Sequence, residues 1–197
     1  MSAPVFVADT GALSQATTGA VIRVDGAEAR HAIAVTRIRI GERIDLVDGL
    51  GRRVSGTVAA VDGAMSMGVL AETIEDEPQP KPRITVVQAL PKGDRGELAV
   101  ELLTEIGVDE IVPWAATNCV VVWKGERADR SRRRWVDAAH SAAKQSRRAR
   151  FPVVAQLAEG RRRADQAASR ALVALEPVGE VSGAREVPLR GELAQLC

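Results

Sequence analysis

The sequence contains few residues of the kinds that bind metals or form disulfide bonds. Cysteine occurs twice, at Cys119 and Cys197, and histidine twice, at His31 and His140. No Cys-x-x-Cys pair is present, and neither cysteine has a histidine near it in the sequence. This pattern predicts no metal site and no disulfide framework, and it favours a reducing compartment.

The sequence also lacks membrane segments and the common motifs of nucleotide and hydrolase sites. No apolar run is long enough to span a bilayer, and residues 1–11 lack the basic region and apolar core of a secretory signal. The motifs GxGxxG, GxxxxGK[ST], GxSxG and HExxH are absent. We therefore expect a cytoplasmic protein that does not associate with membranes.

Charge is balanced in total but unevenly distributed. The net charge is +1, yet residues 1–80 contain eleven acids and seven bases, whereas residues 127–150 contain nine bases and two acids. Such a cationic segment is typical of surfaces that bind phosphate backbones. The alternative is a solvated helix face with no partner.

The first part of the chain predicts a small β-barrel or sandwich over residues 1–75. Five short β-type segments are separated by Gly and Asp-Gly turns, with one or two helical turns expected at residues 27–35. The segments are VFVAD, AVIRV, RIDLVD, RRVSGTVAAV and AMSMGVLAE. Residues 76–83 (DEPQPKPR) contain three prolines and predict a linker.

Residues 84–197 predict an α/β domain with a mostly parallel sheet, which makes the whole chain an α+β protein of two domains. The apolar run ITVVQAL (84–90) indicates a buried strand, and VDEIVPW a second one. A helix follows the first strand, with Asp94 and Glu97 at capping-box spacing and an apolar face at Leu98, Leu102 and Ile106. Residues 162–175 predict a further helix that leads into a strand.

A basic helix is predicted from about residue 129 to 148. Its apolar stripe contains five residues, namely Trp135, Ala139, Ala142, Ala143 and Ser146. The opposite side contains Arg130, Arg133, Lys144 and Arg148, at 100° per residue.

Several polar residues are candidates for binding. Lys92 and Arg95 follow a strand, where ligands gather in α/β sheets, and helix capping does not require them. Gln145 and Arg148 are three residues apart. A glutamine can read a base edge, while an arginine can hold phosphate or stack on a base. His31 either hydrogen-bonds RNA or caps a barrel edge.

Three longer runs of sequence stand out, namely HAIAVTRIRIGERIDLVDGLG, ALPKGDRGELAVELLTEIGVDEIVPW and RRRWVDAAHSAAKQSRRARFP. Together they resemble the bacterial 16S ribosomal RNA uracil-N3 methyltransferases, which belong to the SPOUT superfamily. They lie in the family's order and spacing over roughly residues 5–155. The resemblance implies a PUA-like β-barrel joined to a knotted α/β domain in a homodimer that uses S-adenosylmethionine to methylate 16S rRNA in the small ribosomal subunit.

The resemblance also implies roles for particular residues. Arg148 is expected to stabilise the charge that develops on the uracil, and is therefore the predicted catalytic residue. The residues expected to contact RNA are His31, Arg37, Lys92, Arg95, Arg130, Arg133, Lys144, Gln145 and Arg147.

The family's cofactor loops, Gly-Pro-Glu-Gly-Gly and a later Leu-Arg-x-(Glu/Ser)-Thr-Ala, do not occur in the 197 residues. We therefore expect the trefoil knot and the cofactor site to require residues beyond Cys197. Two alternatives remain open: a non-catalytic or truncated RNA-binding module that associates with the ribosome, and a structural protein that uses the α/β part for dimerisation.

Overall fold

The computed structural model describes residues 3–116 and 119–159, and the backbone of residues 173–175. The chain divides into two compact units. The first comprises Met1–Pro80 together with Ala143–Phe151, and the second comprises Lys81–Ala142 together with Pro152–Cys197. The sequence interpretation placed all of residues 84–197 in the second domain, whereas Ala143–Phe151 is part of the first unit.

The first unit is built on a mixed five-stranded sheet. Its strands are β1 (Val5–Val7), β2 (Val21–Asp25), β3 (Arg43–Val47), β4 (Arg52–Asp62) and β5 (Ser66–Asp76). The strand order is β1-β3-β4-β5-β2, with β1 parallel to β3 and the other pairs antiparallel. All five predicted strands are confirmed.

The long hairpin of β4 and β5 is bent at two irregularities in its register, after Ser55 and after Val58. The first lies at Gly56, where an added Cβ would come within 2.1 Å of the Leu70 carbonyl oxygen. Glycine is therefore required for this close approach of the two strands. The bend helps one face of the sheet to enclose a core that includes Phe6, Leu13, Ile44, Leu46, Val54, Val58, Met67 and Val69.

Short helices fill the connections of the first unit. Helix α1 (Thr10–Ser14) begins after Asp9, whose side chain accepts a hydrogen bond from the Ala12 amide at 3.1 Å. This helix is too short for its periodicity to be read from the sequence. Helix α2 (Gly26–Arg30) continues directly into a π-helix, His31–Val35. The predicted helical turns at residues 27–35 are therefore confirmed, although their π geometry was not predicted.

The second unit contains a parallel sheet. Its strands are β6 (Thr85–Ala89), β7 (Glu110–Ala115), β8 (Val153–Val154), β9 (Ala158–Glu159) and β10 (Val173–Leu175). The order is β10-β6-β7-β8, and β9 also pairs with β7. Every pair is parallel, as the sequence predicts. The helix predicted ahead of β10 lies outside the described residues.

Helix α3 (Arg95–Glu105) buries a different face from the one predicted. Leu98, Leu102 and Ile106 are 54%, 53% and 74% exposed, whereas Val100 and Leu103 are buried. The neighbouring helix fixes this orientation, because a Cβ at Gly96 would come within 2.8 Å of the Trp135 indole nitrogen. The predicted apolar face was therefore wrong. The capping prediction was also wrong, since Asp94 occupies the N-cap position without a side-chain hydrogen bond.

Helix α4 (Glu126–Gln145) is the longest described element. Trp135 packs edge-to-face on Trp123 with ring centroids 5.1 Å apart. Trp135, Ala139, Ala142 and Ala143 are buried as predicted. Ser146 is exposed because the helix ends at Gln145, so its predicted burial and the predicted extension to residue 148 were wrong. None of the helices in the described ranges has the length and apolar character needed to cross a membrane.

Candidate functional site

A cleft of about 290 Å³ lies in the first unit. Three segments that are distant in the sequence line it: β1, the π-helix and the end of α4. The lining residues are Pro4, Val5, Phe6, His31, Thr36, Lys144, Gln145 and Arg147. Four of the nine residues predicted to contact RNA are therefore brought together here, namely His31, Lys144, Gln145 and Arg147.

The end of α4 is closed by a Schellman motif whose left-handed residue is an arginine. The Arg147 amide donates to the Lys144 carbonyl at 3.1 Å, and the Arg148 amide donates to the Ala143 carbonyl at 2.9 Å. Arg147 has φ +58°. Glycine is the usual residue at this position, because a side chain in left-handed backbone costs roughly 1–2 kcal/mol. An arginine occupies this position here, and it lines the cleft.

The Arg53 side chain is hydrogen-bonded to this left-handed segment. Its guanidinium donates to the Arg147 carbonyl at 2.8 Å, to Asp45 at 3.1 Å and to Glu77 at 3.2 Å. The Arg53 side chain is only 14% exposed. Farther along, the Gly51 amide donates to the Ala149 carbonyl at 3.0 Å. The backbone that presents Arg147 is therefore fixed by side-chain and main-chain hydrogen bonds.

Lys144 already has an intramolecular partner. Its ammonium group contacts both carboxylate oxygens of Glu28, at 2.8 and 2.9 Å, and both side chains are less than one-third exposed. Glu28 also accepts a hydrogen bond from the Val7 amide at 3.2 Å. The ion pair therefore joins α2, β1 and α4, and it neutralises one positive charge of the cleft.

The π-helix supplies the other side of the cleft. The His31 ring packs edge-to-face against Phe6, with centroids 6.2 Å apart, and is exposed. The Thr36 amide donates to the His31 carbonyl at 3.0 Å, and the next residue, Arg37, has φ +57°. Among the described residues, Arg37 and Arg147 are the only non-glycine residues with positive φ. Such outliers, like π-helical turns, are frequent at functional sites.

The remaining predicted residues lie elsewhere. Arg148 follows the end of α4 and is half-buried, so it does not lie on the helix face that the sequence interpretation assigned to it. It is not among the residues that line the cleft. Its catalytic role stays a prediction.

Four predicted cations belong to the second unit, and all four are exposed. Lys92 and Arg95 follow the carboxyl end of β6, and Arg130 and Arg133 lie on α4. By contrast, Arg132 donates to the carbonyls of Val154 and Ala155 at 2.7 and 3.0 Å, so it anchors the helix.

Sequence reasoning missed Glu28, Arg53, Phe6 and Thr36. Glu28 and Arg53 are charged residues in ordinary-looking segments, and their importance arises from contacts with residues more than 90 positions away. These contacts form only in the folded chain, so the sequence alone does not single out Glu28 or Arg53. Within the described ranges, no three His, Cys, Asp or Glu side chains are grouped as a metal site would require.

In open α/β folds, ligand sites lie at the carboxyl edge of the parallel sheet. One donor is available, because the indole nitrogen of Trp114, at the end of β7, is buried without a hydrogen-bond partner among the described residues. No glycine-rich loop accompanies it there.

Comparison with known proteins identifies the family. Residues 77–188 match the model of the RNA methyltransferase domain, and residues 24–63 match that of the RNA methyltransferase PUA domain. The first match covers more than half of the chain, so the chain belongs to the RNA methyltransferase domain family.

Relatives of known name agree with this assignment. The chain is 46% identical over 156 residues to ribosomal RNA small subunit methyltransferase E of Mycobacterium bovis, covering 78% of this chain and 57% of the relative. It is 27% identical over 131 residues to the Bacillus subtilis protein of the same name, covering 66% and 51%. The chain thus spans little more than half the length of these relatives.

Solved structures show the same fold. The Neisseria gonorrhoeae ribosomal RNA small subunit methyltransferase E, bound to S-adenosyl methionine, has a TM-score of 0.69 and 27% identity, covering 83% of this chain and 65% of that one. A putative methyltransferase of Legionella pneumophila, also with bound S-adenosyl methionine, has a TM-score of 0.68 and 19% identity, covering 81% and 64%.

Proposed function

We propose that this chain is part of a 16S rRNA methyltransferase that transfers the methyl group of S-adenosylmethionine to N3 of a uridine. The observation that carries the proposal is the cleft of the first unit, where His31, Gln145 and Arg147 converge from separate segments. The family assignment supplies the reaction class. The relatives' names supply the ribosomal substrate.

The chain's own residues bind and orient the RNA. Arg37 and Arg147 are exposed cations on hydrogen-bonded backbone, suited to hold phosphates, while Gln145 offers an amide that can pair with a base edge. Arg130 and Arg133 are exposed on α4 and extend the cationic surface of the second unit. Lys92 and Arg95 are exposed next to the start of α3 and are proposed to add further RNA contacts. Arg148 is proposed to stabilise the charge on the uracil.

The cofactor site is proposed to include a trefoil knot and the family's two cofactor loops, whose sequence motifs do not occur among the 197 residues. Domain limits of 1–75 and 84–197, joined by a linker at 76–83, belong to the same proposal, except that Ala143–Phe151 is part of the first unit. A cytoplasmic location belongs to it as well. No metal is required by this reaction.

A homodimer is part of the proposal. Leu98, Leu102 and Ile106 form an exposed apolar stripe on one side of α3. Contiguous exposed apolar surface of this kind marks interaction sites. A second copy of the chain is the proposed occupant, in keeping with the dimeric state that the sequence resemblance implies.

The test is a methyl-transfer assay with the product of the complete gene, labelled S-adenosylmethionine and small ribosomal subunits that lack the modification. Label should enter 16S rRNA at a single uridine, and reverse transcription should stop there because methylation of N3 blocks base pairing. Arg148→Ala should greatly reduce transfer while leaving the circular dichroism unchanged. Label in another rRNA, or full activity of the Arg148 variant, would contradict the respective assignments.

A non-catalytic RNA-binding module is the second candidate, favoured by the cleft, whose lining residues all belong to the first unit. Calorimetric titration of the 197-residue chain with S-adenosylmethionine tests whether these residues bind the cofactor or bind only RNA. Saturable binding would contradict a cofactor site that needs further residues. No binding by a folded sample that still binds RNA is the expected result.

A further inference from the structure

We infer that the cleft of the first unit receives one unpaired nucleobase, and that the flanking phosphates bind to the arginines at its rim. The inference rests on the proposed function, because it names the part of the RNA that this cleft takes. It predicts recognition of single-stranded RNA through a base, where the proposed function alone requires only RNA binding.

The pairing of Lys144 argues for an uncharged group beside it in the cleft, whereas the second cation of the lining, Arg147, is assigned to a phosphate at the rim. Lys144 is the only ammonium group among the lining residues, and Glu28 neutralises it through contacts at 2.8 and 2.9 Å. A phosphate that displaced Glu28 from Lys144 would leave that carboxylate without its cation, which is unfavourable in a partly buried site. A neutral base imposes no such cost.

The shape and chemistry of the walls fit a base. Pro4 and Val5 form an apolar wall, and His31 is an aromatic ring already oriented by Phe6. Bases in single-stranded RNA stack on rings of this kind. The volume of about 290 Å³ lies just below the range of roughly 300–1,000 Å³ found for pockets of drug-sized ligands, as suits a ligand no larger than one nucleotide.

Polar groups for reading the base edge are also present. Gln145 carries both a donor and an acceptor on its amide and is exposed at the cleft, and Thr36 adds a hydroxyl. Arg147 lines the cleft, and Arg37 is an exposed residue that immediately follows the lining residue Thr36, so these two arginines are the proposed phosphate contacts. Their left-handed backbone is anchored by helix-end hydrogen bonds.

The experiment compares ribo-hexamers that differ only in whether they carry bases. The 197-residue chain is titrated with single-stranded hexamers of each base, with an abasic ribose-phosphate hexamer of the same charge and with a matched RNA duplex, at several salt concentrations. At least one base-bearing hexamer should bind about tenfold more tightly than the abasic one, because a single stacked base contributes on this scale. The duplex should bind no better than the abasic strand.

Three variants separate base contacts from phosphate contacts. His31→Ala and Gln145→Ala should remove most of the base-dependent advantage and leave abasic binding and the salt dependence unchanged. Arg147→Ala should weaken both strands and reduce the slope of log affinity against log salt by about 0.7, as expected for one phosphate contact on a single strand. Gln15→Ala, an exposed glutamine outside the cleft, is the matched control.

The outcomes distinguish the inference from the function on which it rests. Equal affinity for base-bearing and abasic hexamers, with normal salt dependence, would overturn the inference and leave RNA binding in place. Base-dependent binding that the His31 and Gln145 variants do not alter would also overturn it, since the base would then bind elsewhere. Failure to bind any RNA would contradict the proposed function itself. Gln145 is exposed, so its variant is expected to fold.

Discussion

Arg53 contacts three acceptors, Asp45, Glu77 and the Arg147 carbonyl, with its side chain 14% exposed. Arg53→Ala should lower the free energy of unfolding by about 2–4 kcal/mol, because the half-buried Asp45 carboxylate loses its cation. It should also weaken RNA binding, since Arg147 loses its anchor. Urea unfolding and oligonucleotide titration measure the two effects.

The control for this prediction is Arg43→Ala, which breaks an exposed ion pair with Glu72 and should change neither stability nor RNA affinity. Wild-type RNA affinity in the Arg53 variant would contradict its positioning role.

Arg147 provides a second test at the residue scale. Its left-handed backbone is expected to lower stability, whereas its side chain is expected to strengthen RNA binding. Arg147→Gly relieves a left-handed residue at φ +58° and should leave stability unchanged or raise it by about 1 kcal/mol. The same change removes a cation from the cleft and should weaken RNA binding. Thermal unfolding and salt-dependent titration can be run on one preparation. A variant that is less stable but binds RNA normally would mean that Arg147 is retained for folding.

The elements show where sequence patterns suffice and where they fail. Helix α4 has one apolar stripe, so the burial of Trp135 and Ala139 was predictable from spacing. Its end was not, because the left-handed position is occupied by Arg147 where a glycine would have marked it. Helix α3 has apolar residues on two arcs, one with Leu98, Leu102 and Ile106 and the other with Val100 and Leu103. The sequence does not show which of these arcs faces the sheet. The contact of Gly96 with Trp135 decides this, and it is a tertiary contact.

The two arcs of α3 predict different consequences for two adjacent leucines. Leu102 is 53% exposed, so Leu102→Glu should leave the fold intact and dissociate the proposed dimer. Leu103 is 7% exposed, so Leu103→Ala should lower stability by about 2–4 kcal/mol through the cavity it leaves. Sedimentation equilibrium and urea unfolding distinguish these results, with Glu101→Gln as the exposed control on the same helix. A wild-type chain that stays monomeric at high concentration would rule out the stripe as a dimer contact.

At the scale of the whole molecule, the strands and the parallel sheet follow from composition and periodicity, whereas the cleft does not. The proline-rich segment 76–83 contains the point, after Pro80, where the continuous part of the first unit ends. The return of Ala143–Phe151 to that unit depends on contacts across the sequence, such as Lys144 with Glu28. His31 and Gln145 could be selected singly as polar residues in suggestive motifs. Their meeting in one cleft required the folded chain.

This discontinuity predicts that residues 1–80 alone form an incomplete unit. The fragment lacks Ala149, which is buried with Val5 and Val47. It also lacks Lys144, the ion-pair partner of Glu28, and the Arg147 carbonyl, one of the three acceptors of Arg53. Exposure of that apolar patch and loss of these hydrogen bonds should lower its stability by several kcal/mol, on the order of one-third of a typical domain's total. The fragment should also fail to bind single-stranded RNA.

Adding a synthetic peptide of residues 143–151 should restore part of the stability, because it supplies Ala149, Lys144 and the Arg147 carbonyl. A fragment that unfolds and binds RNA like the 197-residue chain would show that the segment 143–151 is not needed for the cleft.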